Sequence, residues 1–523
     1  MSNFYPVSSL IGGGSGALDA LVHTNADGFG TPLATGDIAI VGSLASPKIY
    51  RYDSTDTTPE NSPHVIEPDS GGGAWTCVSK PPGMNNLIRN SGFSCWSTGT
   101  AKYDVYACVD DFTSDITDWV ASGAGGTTLA HDAGTGKLVL NPGGALGAAY
   151  REVTGLTIGK LYRLGPSASV VCATAGKTAR IGITNSTGAT WLKYEDLTTG
   201  AGTTVALTAG LFLLATETTC RILFQNRTDT TQMKFDNVDF YEYDVEVTGA
   251  WPGPDGWDQT PTLNTRRRWA ADFNMPGMYC LQQIASGGSE QSYFPKTGGT
   301  TGGMASPAWL AMVRGRTVTV GAWCRASVAN HARIRVGHTS NQYSPYHSGS
   351  DSPEWLEVTT DVPDSATSAF MSLLVQTTST TEVYWSQPMM VLGDHIGAGN
   401  YQPIPGENLD FDNTITGYPY PGGTLTAATP YPFNIEEMTE GKIGAVKGFF
   451  GRIVGIAGTA GKFFGIRQSA AVTNYGMLTS AVNTTDFTLA AGRQILQPNG
   501  VFEVFGQTAL TTTSVVFTGA VLQ

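Results

Sequence analysis

"NLIRNSGFSCW", residues 86–96, follows the punctuation Lys80-Pro81-Pro82-Gly83 and has the period of neither an α-helix nor a simple strand. A Pro-Pro-Gly run cannot continue a helix or a central strand, so one unit ends before it and another begins with it. At 523 residues, and with domains of roughly 150 residues, the chain holds three or four such units. Gly 65 and Pro 27 stay below the roughly 25–30% of low-complexity chains, so the chain is folded and rich in turns. Short runs of Val, Ile, Thr, Tyr and Phe, cut by Gly, Asn, Asp or Pro, predict many short strands and an all-β class.

The formal net charge of −13 repels a phosphate backbone, and no nucleic-acid partner is expected. The one basic run is Arg266-Arg267-Arg268, beside Trp269. It could meet a phosphate or an anionic sugar, but pairing with the surplus carboxylates is the simpler reading. The start, MSNFYPVSS, lacks a basic segment followed by an apolar core. No apolar stretch approaches the ~20 residues that span a bilayer. The expectation is synthesis in a cytoplasm with no membrane insertion. Cys77, Cys95, Cys108, Cys172, Cys220, Cys280 and Cys324 show no CxxC spacing, which predicts buried free thiols rather than a disulfide framework or a zinc site.

Residues 1–80 read as a first unit, with "GDIAIVG" (36–42) and "KIYRYD" (48–53) as a hairpin and "SPHVIEPDSGGGAWTCV" (62–78) as a Pro- and Gly-rich turn before another short strand. "IGGGSGALDALV" (11–22) lacks the Gly-Lys-Ser/Thr end of a phosphate loop and reads as a loop leading into a short helix. The glycine-rich start, the two strands and the close Ile66, Pro68, Asp69, Gly71, Gly73 and Trp75 resemble the small N-terminal modules of bacteriophage tail fibres and related appendage proteins. That resemblance implies a virion-attachment module that docks on other virion proteins.

The middle carries a weak repeat. "CATAGKTARIGIT" (172–184) and "CRILFQNRTDTTQMKFDNVDFYE" (220–242) are matched by "CRASVANHARIRVG" (324–337) and "SLLVQTTSTTEVYWSQPMMVLG" (372–393). Thr230-Thr231 aligns with Thr380-Thr381, and Phe235 with Trp385, at one offset of 150 residues. In "RIRVGH" the alternation sends Ile334 and Val336 inward and Arg333 and Arg335 outward. Two tandem jelly-roll β-sandwiches are predicted, at 84–246 and 247–400. Asn86, Leu87, Ile88, Asn90, Phe93 and Trp96, with Phe235, Asp236, Asn237, Val238 and Phe240, resemble the two ends of a carbohydrate-binding-module type of sandwich. The second copy starts "PDGWDQ" (254–259) without the Asn-Leu-Ile-x-Asn opening and has Ser386-Gln387-Pro388 for Asp236-Asn237-Val238. A shared calcium or ligand site is therefore not expected. Residues 401–429 read as a Pro/Gly/Tyr-rich connector lying along another surface, and 430–523 as a C-terminal β domain whose Phe449, Phe450, Phe463 and Phe464 suit a core.

No nucleophile with a base, metal-ligand set or catalytic motif stands out, so neither an enzyme nor a cofactor is predicted. Asp110-Asp111 and Asp236/Asp239 read as turn carboxylates rather than a glycosidase pair. His331, His338 and His347 read as ordinary histidines rather than metal ligands. Binding is expected instead, since aromatic rings with polar edges suit sugar faces. In "SNQYSPYHSGSDSPEW" (340–355) the glycan-binding candidates are Tyr343, Tyr346, His347 and Trp355. Together these readings predict a virion protein assembled in a host cytoplasm, a tail fibre that attaches to host-surface glycan. Homotrimers are what the resemblance implies. A head fibre or capsid decoration protein, and a polysaccharide depolymerase with sugar-binding modules, are the alternatives.

Overall fold

The computed structural model describes residues 86–102, 106–123, 125–248, 251–286, 288–296, 307–377, 382–404, 407–417 and 431–444. It also describes shorter pieces at 4–7, 35–41, 48–55, 65–66, 73–77, 424–425, 448–457, 463–468, 474–479, 485–488, 501–506 and 510–522. The class is all-β: the described elements are strands apart from the helices Pro307–Val313 and Ile435–Met438 and the 3-10 turn Ala270–Phe273.

The opening peptide sits where the sequence did not lead. Asn86 Oδ1 accepts the amides of Ile88 at 3.0 Å and Met390 at 3.1 Å, and Asn86 Nδ2 donates to Pro388 O at 3.2 Å. The Leu87 amide donates to Met390 O at 2.9 Å. Ile88, Phe93 and Trp96 are fully buried with Trp257, Leu281, Val320 and Trp385. The strand Thr100–Lys102 then pairs with Asp244–Val247, which pairs with Asn264–Trp269. Residues 86–102 and 244–247 thus belong with 251–392, and the boundaries 84–246 and 247–400 do not hold. One sandwich is nested inside the other. The chain leaves at Lys102 and returns at Asp244, and these two residues are direct Cα partners. A complete domain can be inserted at such a site with little strain, because its ends lie together. Nesting also explains why "PDGWDQ" has no Asn-Leu-Ile opening: that opening is residues 86–96, displaced along the chain by the insertion.

The carrier sandwich has a seven-stranded sheet, ordered Glu354–Val362, Arg316–Ala326, Glu382–Leu392, Tyr279–Ile284, Asn264–Trp269, Asp244–Val247, Thr100–Lys102. Facing it is a six-stranded sheet, Trp251–Pro252, Asp258–Gln259, Gly288–Phe294, Phe370–Thr377, Ala332–Gly337, Asn341–Tyr343. The inserted sandwich has its own core. Phe224 and Phe235, from two of its three sheets, stack at 4.5 Å, and Trp119 stacks on Phe224 at 4.8 Å. Asn237, at φ 57°, separates the strands Met233–Asp236 and Val238–Glu242, which lie in different sheets. The carboxylates weighed as a glycosidase pair have structural partners here: Asp110 accepts from Trp119 Nε1 at 2.7 Å and Arg151 at 3.1 Å, Asp236 pairs with Lys137, and Asp239 accepts from Ser167 at 2.8 Å.

In the N-terminal unit Ile38–Val41 and Lys48–Asp53 form the expected hairpin, and Tyr52 meets Trp75 at 5.2 Å. The loop 11–22 lies outside the described residues. The expected connector 401–429 contains a strand, Asn408–Gly417, which pairs with Leu510–Val521 of the C-terminal sheet. Its Thr, Ile and Leu content supports that strand better than a linker. Phe449 is buried against Phe517 at 5.0 Å.

The start of that strand clamps the opening peptide. Glu407 accepts the Asn90 amide at 3.0 Å, and Asp255 accepts the amides of Ser97 at 2.9 Å and Asp412 at 3.3 Å. Neither acid has a salt-bridge partner among the described residues. Burial pushes Glu407 up to about 7, against the opposing pull of the Asn90 amide and Arg89. Burial likewise pushes Asp255 up to about 6, against its bonds from Ser97. Both folded values exceed those of the unfolded chain, roughly 4. Their stabilising contribution is therefore complete below pH ~4 and is lost as pH rises through 6 to 7, at a cost of about 3 kcal/mol each. Thermal melts at pH 5 and pH 8 should show the protein losing stability with rising pH. Glu407→Gln, which keeps an acceptor for Asn90, should lose less; an unchanged pH slope in that variant would contradict the clamp.

Candidate binding surface

The four glycan candidates do not form one site. His347 is 1% exposed. Its Nδ1 accepts the Gly349 amide at 2.9 Å and its Nε2 lies 3.0 Å from Ser352 O, so it fastens its own loop. Trp355 lies in Glu354–Val362, where Leu356 and Val358 take the core positions. Alternation puts Trp355 on the opposite, outer face of the seven-stranded sheet. There it meets Trp323 edge-on at 5.8 Å, donates to Glu357 at 2.8 Å, and packs on Met389, Val391 and Ile396. Tyr343 ends the edge strand of the other sheet, and Tyr346 follows it in the loop. The expected cluster is corrected to these two, because a run of neighbours in sequence is divided between the two faces of a sandwich.

What joins the tyrosines is Arg333, which the alternation had sent outward. Its guanidinium carbon lies 3.7 Å from the Tyr343 ring centroid and 4.3 Å from that of Tyr346. Arg333 Nη2 donates to Gln376 Oε1 at 2.9 Å, and the Tyr346 hydroxyl donates to the same oxygen. Each cation–π contact is worth about 0.5–1 kcal/mol at an exposed position. Tyr343 is 38% exposed, with the exposed amides of Asn341 and Gln342 beside it on the edge strand. Arg335, two residues along, lies over Phe370 at 4.8 Å and Tyr293 at 5.9 Å. The result is a sheet face of rings, amides and guanidiniums, able to stack a sugar and hydrogen-bond its substituents. The sequence signal for Arg333 was the pattern Arg333-Ile334-Arg335-Val336, which opposes two cations to two core positions.

The triple-arginine run is a structural joint. Arg266 pairs with Glu246, Arg268 with Asp244 at 3.2 Å, and the buried Arg267 with Glu436 at 3.2 Å. Tyr279 O–H also donates to Glu436, at 3.1 Å. Burial raises the Glu436 pKa, and Arg267 and Tyr279 hold it down. The neighbouring Glu437 pairs with Lys193 of the inserted sandwich and accepts the Leu214 amide at 2.7 Å. Lys160 bridges Glu242 at 2.8 Å and Asp272. Gly159, Lys160, Tyr243, Trp269 and Glu436 line a small open cleft at this meeting point. Its cations are matched by carboxylates, so its chemistry is that of a joint. Cys95, Cys108, Cys172, Cys220, Cys280 and Cys324 are buried free thiols. Among the described residues no three His, Cys, Asp or Glu side chains converge as a metal site.

No family model matches the chain, and no curated protein matches it. Among solved structures, similarity extends to the tandem CBM22-1–CBM22-2 domains of Paenibacillus barcinonensis Xyn10C. That match has 12% identity and a TM-score of 0.22, covering 56% of this chain and all of that one. A triple jelly-roll turret protein of an archaeal virus matches at 10% identity and TM-score 0.17, over 80% of this chain and 97% of that one. A Paenibacillus xanthan lyase matches at 11% identity and TM-score 0.14, over 66% of this chain and 34% of its own. Superposition this loose does not carry an assignment.

The joint makes a direct prediction. Glu436→Ala strands the buried Arg267 charge and should destabilise the protein by about 3–5 kcal/mol, read as a lowered melting temperature. Arg267→Met with Glu436→Leu should recover most of that loss. A single Glu436→Ala variant as stable as wild type would show that the pair holds nothing.

Proposed function

We propose that the chain is a structural component of a virus particle, a bacteriophage tail fibre that takes part in attachment to host-surface glycans. The observation that carries this reading is how the units are joined. The carrier sandwich meets the inserted sandwich and the segment that leads into the C-terminal strands through the buried carboxyls of Glu407, Asp255 and Glu436 and the half-buried Glu437, rather than through free linkers. Such joints fix one unit against the next and suit a load-bearing spacer.

The N-terminal module's resemblance to appendage proteins gives the attached end, which would dock on other virion proteins. The Tyr343–Arg333–Tyr346 face gives an exposed surface of the kind that stacks sugars. Three parallel copies would cover strand edges and multiply weak glycan contacts by avidity. No turnover is assigned to the chain.

Sedimentation of the purified protein tests the assembly. Three chains of 55.1 kDa should sediment as an elongated particle of about 165 kDa. The same protein should be retained on bacterial surface polysaccharide without shortening it. A compact monomer would contradict the fibre, and released oligosaccharides would contradict a purely adhesive role.

A further inference from the structure

We propose that the outer face of the six-stranded sheet takes a carboxylate-bearing sugar, with Arg333 receiving the carboxylate and Tyr343 stacking on the ring. This rests on the glycan-attachment reading and specifies its ligand class.

The first observation is an uncompensated charge. The chain carries 43 acidic against 30 basic side chains. Many of its guanidiniums are paired: Arg151 with Asp110 and Asp118, Arg180 with Asp196, Arg221 with Glu152, Arg325 with Asp351, and the run Arg266 to Arg268 as above. Arg333 and Arg335, side by side on one face, meet no carboxylate among the described residues. In so acidic a protein, two adjacent unpaired cations mark a place where a negative charge is welcome.

The second observation is the free donor capacity. A guanidinium offers five N–H donors, and Arg333 spends one, on Gln376. Its Nε is buried without a hydrogen-bond partner, so the Nη groups are the donors left for a ligand. The two tyrosine rings cover the guanidinium at 3.7 Å and 4.3 Å and hold it in place, leaving its edge to bind.

The third observation selects the anion. A carboxylate is planar and matches the guanidinium fork in its own plane. Tyr343, 38% exposed, adds a flat apolar platform for a pyranose face, and the Asn341 amide, on the same face of the edge strand, can take hydroxyls. Uronic and sialic acids combine these features. The net charge of −13 disfavours non-specific capture of polyanions, so acidic-sugar binding would be local to this face.

Titration calorimetry on the full chain tests the assignment with four probes: oligogalacturonate, its carboxyl-reduced neutral counterpart, an oligosialate and a neutral oligoglucan. At least one acidic oligomer should bind, and the neutral ones should bind at least tenfold more weakly. Arg333→Gln should lose roughly tenfold or more and Arg333→Lys less, because lysine keeps the charge and loses the fork. Tyr343→Ala, at an exposed position, should weaken binding severalfold with an unchanged melting temperature. Equal binding of acidic and neutral oligomers, or no effect of Arg333→Gln and Tyr343→Ala, would overturn the acidic-sugar assignment and leave glycan attachment standing. Failure of wild type to bind any of the four would remove both.

Discussion

The structure depends on the way the Asn86 side chain is satisfied. A buried amide without partners costs about 1–3 kcal/mol per lost group. Asn86 finds its partners in the backbone of Glu382–Leu392, 302 to 304 residues later. That contact fixes residues 86–96 against the carrier sandwich. It lets Trp96 bury completely, its indole N–H donating to Phe93 O at 2.7 Å. Once the peptide is held there, the strand Thr100–Lys102 can only join the same sheet, and everything from 106 to 243 must fold as an insertion.

Nesting has a mechanical consequence. A domain joined by one linker can swing, whereas a domain entered and left through two paired strands is held at both ends. The carboxylates reinforce this. Glu436 reaches Arg267 of the carrier while Glu437 reaches Lys193 of the insertion, so two consecutive residues of one short helix tie both bodies. Glu407 and Asp255 do the same for the strand entering the C-terminal sheet. Part of the acidic excess thus lies inside the joints, where Glu436 and Glu437 pair with cations while Glu407 and Asp255 hold best when protonated.

Local patterns were legible in the sequence, and distant partners were not. The alternation in "RIRVGH" placed Ile334 and Val336 in the core and both arginines outside. The arginine run paired with carboxylates, and Phe235 and Trp385 are both fully buried. The nesting was hidden because closing strands for both sandwiches, "KFDNVDFYE" and "VYWSQPMMV", are equally good by pattern, and the nearer one was the natural choice. The hydrogen bonds of Asn86 and Leu87 to Glu382–Leu392 select the farther one. The site was misjudged for a related reason. Tyr343, Tyr346, His347 and Trp355 cluster in sequence, but the turn between their strands sends Trp355 to the other sheet and His347 inward. Arg333, which unites the remaining pair, looked like an ordinary solvated charge.

Excision tests the nesting most directly. A chain with residues 106–243 replaced by a short Gly-Ser turn joins Lys102 to Asp244 across an existing pair. Melting followed by tryptophan fluorescence should then show a cooperative carrier sandwich with Trp96 still shielded, and a separately expressed 106–243 should fold alone. If instead the excised chain is unfolded while a fragment of residues 84–246 folds independently with Trp96 buried, the sandwiches are tandem and the nested account is wrong.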